Sequence, residues 1–341
     1  MKFSLLALLF IFAHTKAQAE FYAGFNQAWI FNRYGSQWVS GFDEKEFHRT
    51  IKLTKEAGGN LLRFWLFEAH QSESLIWENG KAVRLNPIFV NNLRKVLAIA
   101  KEENVKLNLT LLDGNMGGWK PPSQENKNFW WDLLNDKNGV RADFIENIYL
   151  PLLETISDPS YKNIMLQLDL ANEINALTHQ SNEFKFIDKW FGANKMICDF
   201  YQAKKNFRLA KHIQYTASVG WGNAAENILA QHPWPDCVDF FDFHVYSDGG
   251  DIPYCKELVA YARSKGKKIV LGEFGQSLGF SSDSLQAAAT RNFLKNALSC
   301  GLDGALAWRL AEPDSSAYLS FEKNGRLRPA YYEMQKILKQ R

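Results

Sequence analysis

Residues 267–276 read KKIVLGEFGQ: Lys267 and Lys268 lead into Ile269, Val270 and Leu271, then Gly272, Glu273, Phe274, Gly275 and Gln276. A short, unbroken apolar run of this kind predicts a strand buried on both faces, as in a parallel sheet. A carboxylate where such a strand ends is costly to bury unless it is paired or used. Taken alone, Glu273 fits a strand-end salt bridge as well as it fits a working carboxylate. Its neighbours along the chain decide between the two.

Working outward from this strand, the same kind of run recurs, each followed by a helical pattern. Strands are expected at Glu20–Gly24 (ending near Asn26-Gln27), Asn60–Leu66, Val105–Leu112, Ile164–Leu170, His212–Val219, Val238–Val245, the opening stretch and Gly304–Leu310. Helices are expected over Asp43–Ala57, with Asp43 as N-cap and Gly58-Gly59 as stop, and over Pro87–Glu103, Val140–Thr155, part of the segment reaching Ala210, Cys255–Lys265, Ser284–Cys300 and Pro329–Lys339. A Trp-rich loop is expected from Gly114 to Asp132. Strands alternating with helices imply parallel pairing through crossovers. Eight such units predict a single-domain α/β fold, a closed (β/α)8 TIM barrel, with an open doubly wound sheet as the alternative. No G-x-G-x-x-G or G-K-[ST] signature follows any strand, so a nucleotide fold lacks its usual marker. Asn108-Leu109-Thr110 matches a glycosylation sequon but falls inside a strand.

The start of the chain has a different character. Lys2, the apolar run Ser4–Ala13 and Ala17-Gln18-Ala19 have the layout of a secretory signal cleaved near Ala19, so residues 1–19 are read as a signal and 20–341 as the (β/α)8 domain. The apolar run is too short to span a bilayer. The expected product is secreted or periplasmic, not membrane-bound after signal removal, and monomeric. Its formal charge falls from +3 to +1 with the loss of Lys2 and Lys16. A nearly neutral chain without basic runs argues against a nucleic-acid partner. The content of 11 Trp serves a large core, and also suits stacking on sugar faces. Cys198, Cys237, Cys255 and Cys300 match no zinc spacing. Export permits disulfides, three full pairings are possible, and buried free thiols are the alternative. The seven His form no H-x-H or H-E-x-x-H site, so no metal and no cofactor is expected.

In a barrel, the C-terminal strand ends converge on one mouth. Here those ends carry Arg63-Phe64-Trp65, Asp113-Gly114-Asn115 with Trp119 close behind, Asn172-Glu173, Asp242-Phe243-His244-Val245-Tyr246, Glu273, and Trp308-Arg309. A lone His or Trp at such a place is more often core, but the concentration of polar and aromatic groups is harder to explain by packing. Glu173 and Glu273 come from strands four and seven, across the barrel. Two opposed acids suit glycoside hydrolysis: one protonates the leaving oxygen while the other attacks or activates water. If each were only structural, each would pair with an Arg, and the mouth offers only Arg63 and Arg309.

Arg63, Asn172-Glu173, His244-x-Tyr246, Gly272-Glu273-Phe274 and Trp308, in this order and at these strand positions, resemble glycoside hydrolase family 5, a family of retaining (β/α)8 glycosidases. The resemblance spans nearly all of residues 20–341. Locally, Gly24-Phe25-Asn26-Gln27-Ala28-Trp29, the segment from Gly58 to Leu66 and Gly272–Gln276 look like the endo-β-1,4-mannanases of that family. The resemblance implies that Glu173 is the general acid/base, its pKa raised by burial and by Glu273, and that Glu273 is the nucleophile, kept ionised by Arg63 and the Tyr246 hydroxyl. It implies that Asn172 meets the sugar 2-hydroxyl, that His244 orients Glu173 or a sugar hydroxyl, and that Trp308 floors the reacting sugar. Trp29, Trp65 and Trp119 are candidates for further subsites. The implied substrate is a β-1,4-linked polysaccharide or oligosaccharide, mannan first, cut internally.

Two departures stand out. Ile174 follows the Asn-Glu pair where Pro is common, and Leu112-Asp113-Gly114-Asn115 does not look like the usual mannanase strand end. The second bears on substrate, and Asp113 is a fallback acid. The rival readings are a β-1,4-glucanase, a catalytically silent carbohydrate-binding barrel and a metal-dependent hydrolase.

Overall fold

The structure, a computed structural model, describes residues 20–31, 33–67, 72–113, 124–175, 186–220, 234–276, 282–312 and 319–341. The expected signal and Trp119 lie outside the described residues.

Eight strands form one sheet: β1 (Tyr22–Asn26), β2 (Leu61–Phe67), β3 (Lys106–Asp113), β4 (Met165–Asn172), β5 (Gln214–Thr216), β6 (Phe240–Tyr246), β7 (Lys268–Gly275) and β8 (Gly304–Ala307). Their spatial order is β5-β4-β3-β2-β1-β8-β7-β6, and every neighbouring pair is parallel. The two edge strands meet as well. Val219 bridges Phe243, with Val219 N donating to Asp242 O (3.1 Å) and His244 N to Val219 O (2.9 Å). The sheet is therefore a closed (β/α)8 barrel, and the open doubly wound alternative falls.

The strands alternate two kinds of buried residue. On β3, Leu107, Leu109 and Leu111 belong to the apolar core, while Asn108 and Thr110 between them are equally buried. With a period of two, one set faces the helices and the other faces the barrel axis. Asn108 Nδ2 donates across to Gln167 Oε1 at 3.2 Å. Arg63, Asp169, Thr216, Ser218, Asp242 and His244 extend this polar interior, all fully or nearly fully buried.

The helices that cover the barrel start and stop where local chemistry sets them. The Asp43 side chain accepts from Glu46 N (3.1 Å) to open α1 (Glu44–Glu56), and Asn86 accepts from Ile88 N (2.9 Å) to open α2 (Pro87–Glu103). The stretch expected as the end of a Trp-rich loop is instead helical, α3 (Gln124–Asn135). Phe129, Trp130, Leu133 and Leu134 form a buried helical stripe there, with Phe129 and Trp130 edge-on to Trp77. The helix expected over 140–155 is interrupted. Between α4 (Val140–Phe144) and α5 (Leu150–Ile156) lies one π turn, Ile145–Tyr149, just before Pro151, which has no N–H to give to the preceding turn. The outer layer continues with α6 (Phe186–Asn206), α7 (Cys255–Ser264), α8 (Asp283–Cys300) and α9 (Pro329–Leu338).

Disulfides join Cys198 to Cys237 and Cys255 to Cys300, which selects one of the three pairings and leaves no free thiol. Among the described residues, no helix is long and apolar enough to cross a membrane.

Candidate active site

Glu173 follows β4 directly and Glu273 sits in the last turn of β7. A carboxylate oxygen of each, together with a ring nitrogen of His244, lies within 4.8 Å of the others. All three residues are buried.

Glu273 is held from two sides. Arg63 Nη1 donates to its Oε1 at 2.6 Å, and the Tyr246 hydroxyl donates to its Oε2, also at 2.6 Å. Arg63 is itself fully buried and engages three more acceptors: Asn26 Oδ1 (2.8 Å), Asp169 Oδ2 (2.7 Å) and Asn172 Oδ1 (2.8 Å). One planar fork thus ties β1, β2, β4 and β7 together at the mouth. Asn26 Nδ2 in turn donates to Gly272 O at 2.8 Å, beside Glu273.

Glu173 is placed by its backbone. Its φ is +47°, a left-handed conformation that costs a non-glycine residue about 1 kcal/mol or more. The Ser218 side chain accepts from Glu173 N at 3.0 Å, and Ser218 O accepts from Ile174 N at 2.9 Å. Ser218 Oγ also donates to Asp169 Oδ2 at 2.9 Å, so one chain of contacts runs from Arg63 through Asp169 and Ser218 to the backbone of Glu173. Next along, Asn175 clasps Gly220: its Oδ1 accepts from Gly220 N at 3.0 Å and its Nδ2 donates to Gly220 O. A Cβ on Gly220 would fall 2.0 Å from Glu173 Oε1, so this glycine makes room for the carboxylate.

The two carboxyls have different electrostatic surroundings. Burial pushes the Glu173 carboxyl up to about 7; Arg63 opposes this and the negative Asp169 adds to it. Asp169 thus adds to the effect expected of Glu273, and the two glutamates also repel each other's charge. Burial also raises Glu273, and the nearby Glu173 adds to this, but His244, Arg63 and the Tyr246 hydrogen bond pull it back toward the ionised form. His244 Nδ1 lies 3.0 Å from Glu173 Oε1 and 3.5 Å from Glu273 Oε2, and burial holds its ring down at about 4, hence neutral. The Tyr246 phenol is raised well above its usual value by burial and by Glu273, so it stays a donor.

The remaining candidates line the same mouth. Asn172 is bound to Arg63, and its Nδ2 approaches Asp113 Oδ1 at 3.5 Å, while the Tyr34 hydroxyl donates to Asp113 Oδ2 at 3.1 Å. Trp29, Trp65 and Trp308 form one edge-to-face cluster with centroids 5.5 to 6.1 Å apart. Trp29 and Trp308 are partly exposed, whereas Trp65 is buried above the Arg63 guanidinium. Arg309 lies under Trp29, 4.6 Å from its ring centre, and so does not pair with either glutamate. A cation could in principle sit among Glu173, His244 and Glu273, but both oxygens of Glu273 already accept from Arg63 and Tyr246.

Sequence reasoning passed over Asn26, Asp169, Ser218, Gly220 and Asn175, and gave Asp242 no role. Asp169 and Asp242 did carry a signal. Each is an acid within an apolar strand, LQLDLA and FFDFHV, where both faces are buried. Ser218, Gly220 and Asn175 act through backbone geometry that no sequence pattern marks.

No family model and no curated protein sequence matches the chain. Solved structures do. The β-1,4-D-mannanase of Cryptopygus antarcticus superposes with a TM-score of 0.67 at 19% identity, over 94% of this chain and 90% of that one. The β-mannanase of the blue mussel Mytilus edulis gives 0.66 at 17% identity, over 94% and 92%. The GH5_18 protein of Streptomyces cattleya, solved with Manβ1-4GlcNAc, gives 0.70 at 14% identity, over 94% and 81%. At such identities the likeness is one of fold: the chain shares the (β/α)8 barrel of these proteins over 94% of its length.

Proposed function

We propose that this protein is a secreted, retaining, endo-acting glycoside hydrolase that cleaves a β-1,4-linked polysaccharide, mannan before others. One observation carries the reading: Glu173 and Glu273, from opposite sides of one barrel mouth, bring carboxylate oxygens within 4.8 Å of each other in unlike surroundings. Retaining glycosidases hold their acids about 5–5.5 Å apart, whereas inverting ones leave about 6.5–9.5 Å for a water.

The chemistry follows from the contacts. Glu173, protonated up to about pH 7, gives its proton to the glycosidic oxygen. Glu273, with Arg63 and Tyr246 favouring its charge, attacks the anomeric carbon and the leaving alcohol departs. Glu173, now ionised, takes a proton from water, which attacks the same carbon and releases Glu273. Asn172, held by Arg63, meets the 2-hydroxyl, and His244 orients Glu173. Trp308 floors the reacting sugar. Trp29 extends the aromatic surface to a neighbouring sugar, which suits cutting within a polymer, while Trp65, expected as a subsite, is buried and packs against Trp29 and Trp308 instead.

Residues 20–341 are the catalytic domain in this reading, acting as a monomer, since both acids and all the contacts that hold them come from one barrel. Export rests on the signal-like first 19 residues and agrees with two disulfides, which persist in oxidising compartments. Mannan rests on the local sequence likeness and on a barrel shared with β-mannanases. The test is digestion of β-mannan and of a soluble cellulose derivative, with product sizes read by chromatography and the anomer of the first product by NMR. Internal cleavage of mannan with retained configuration is expected. Cleavage of the cellulose derivative alone would make it a β-1,4-glucanase. Binding without cleavage of either polymer would leave a carbohydrate-binding barrel, and an inverted first product would overturn the mechanism.

A further inference from the structure

Asp242 is fully buried inside the barrel, and neither of its carboxyl oxygens has a hydrogen-bond partner of good geometry among the described residues, the Gly272 backbone N–H being the one donor that bears on it. It stands two residues before His244 on β6, so both side chains face the axis side by side. The Nε2 of His244 is likewise buried without a partner, and it lies 3.8 Å from Asp242 Oδ1. Space for this carboxyl has been left deliberately tight: a Cβ on Gly272 of β7 would fall 1.9 Å from Asp242 Oδ1.

The charged groups around it define its state. Asp169 from β4 and Glu273 from β7 are both negative influences on it, and Arg63 from β2 is the one positive influence. The Arg63 side-chain hydrogen bonds go to Asn26, Asp169, Asn172 and Glu273, and not to Asp242. On the β5 side the seam strand brings Val219, which carries no charge. An ionised Asp242 would be a buried carboxylate beside two others, with only the Gly272 backbone N–H to favour its charge and no cation in contact, and such a charge is costly. A neutral acid must instead place one O–H, and His244 Nε2 is the acceptor facing it.

We infer that Asp242 is a positioning residue, a protonated acid that donates to His244 Nε2 and so keeps the imidazole proton on Nδ1, aimed at Glu173. This rests on the glycosidase reading above. At 3.8 Å the contact is longer than a hydrogen bond. Such contacts commonly tighten only when substrate closes the site. With Nδ1 as the donor, His244 favours the ionised form of Glu173 once it has given up its proton, which is the form that must next act as base. The opposite arrangement, an Asp242 carboxylate accepting from Nε2–H, would turn Nδ1 into an acceptor for the Glu173 proton.

The test compares the whole protein with Asp242→Leu and Asp242→Asn, using an aryl β-mannoside oligomer for kinetics and long-range ¹H–¹⁵N NMR correlations for the His244 tautomer. In the wild type the proton is expected on Nδ1. Asp242→Leu is expected to lose about 10- to 100-fold in kcat with little change in KM, and to move the alkaline limb of the pH profile upward as His244 becomes free to accept from Glu173. Asp242→Asn, whose amide N–H stands in for the acid O–H, is expected to rescue most of that loss and to restore the limb. Two results overturn the inference: a wild-type proton on Nε2, or an Asp242→Asn variant as impaired as Asp242→Leu. If Asp242→Leu does not fold, Asp242→Asn and the wild-type spectra still decide. If the wild type cleaves no β-glycoside, the glycosidase reading fails, and the tautomer still judges the Asp242–His244 contact on its own.

Discussion

Gly220 and Glu173 share a space that only a hydrogen can enter: a Cβ on the glycine would lie 2.0 Å from Glu173 Oε1 and 2.5 Å from its Cδ. Gly220 cannot retreat easily, because Asn175 grips both its N–H and its C=O. In Gly220→Ala the carboxylate, as the movable partner, leaves its place beside His244. We expect kcat to fall by about 100-fold with a near-normal fold, as befits a misplacement of an ångström or so. Steady-state kinetics beside circular dichroism checks this; undiminished kcat would show that Glu173 has room the geometry denies.

Arg63 meets Asp169 and Glu273 with nothing exposed to water. Removing one partner of a buried ion pair costs about 3–5 kcal/mol, because the other charge is left bare. Arg63→Met should therefore lower unfolding stability by about that amount in urea titration, and by more than Asp169→Asn, which leaves Arg63 with Glu273. Arg63→Lys keeps the charge but loses the fork that reaches Asn26, Asn172 and both acids, so activity should fall further than stability. Equal stability of Arg63→Met and the wild type would contradict the account of this network.

The two glutamates should fail differently. Glu273→Ala removes the attacking group and should abolish hydrolysis while the fold is kept. Glu173→Ala removes the proton donor, so substrates with very good leaving groups should still form the covalent intermediate. Added azide, which needs no general base, should then accelerate turnover and yield a glycosyl azide of retained configuration. A retained azide from Glu273→Ala together with the inverted azide from Glu173→Ala would exchange the two roles.

Most of the barrel was legible because its strands are short apolar runs between helical patterns, and because parallel strands buried on both faces leave such runs unmixed. The strand ends were less so. Strand five was read as His212–Val219 but is regular only over Gln214–Thr216; beyond it Ser218 N is shared between Ala171 O of β4 and the Asp169 side chain. Glu173, Glu273, Arg63, His244 and Tyr246 were singled out at strand ends, and the barrel brings them together at its mouth. Asp169 was missed because it lies three residues inside its strand, and its importance comes from Arg63 reaching down to it across the axis. Gly220 was missed because its role is the absence of an atom. The interrupted helix at Ile145–Tyr149 depended on Pro151, which a periodicity reading passes over when the apolar spacing continues.

The disulfides close chain segments of 39 and 45 residues. On chain-entropy grounds alone, loops of this length stabilise by about 4 kcal/mol each, with measured values usually about 2–4. Replacing Cys198 and Cys237 together by Ser, or Cys255 and Cys300 together, should lower stability by that amount in urea titration while kcat at low temperature stays within a small factor. Thiol titration of the unreduced, denatured wild type should find none free. Four reactive thiols there would remove both bonds.

The Glu173 carboxyl also links stability to pH, and the sign follows from its direction. Its pKa rises from 4.5 unfolded to about 7 folded, so between these values the folded state holds a proton that the unfolded state has released. This stabilisation is complete below about pH 4.5, declines as pH rises, and is gone above about 7; at full extent it is about 3 kcal/mol. Glu273 is shifted the same way, so the contribution of Glu173 is read as a difference between the wild type and Glu173→Gln, which cannot titrate. The unfolding free energy of the wild type minus that of Glu173→Gln should fall steadily from pH 4.5 to 7. In the same window the wild-type kcat/KM should lose its alkaline limb near pH 7, because the reaction needs Glu173 protonated. A constant gap across this range, or an alkaline limb two units higher, would place the proton donor elsewhere in the mouth, with Asp113 the first group to examine.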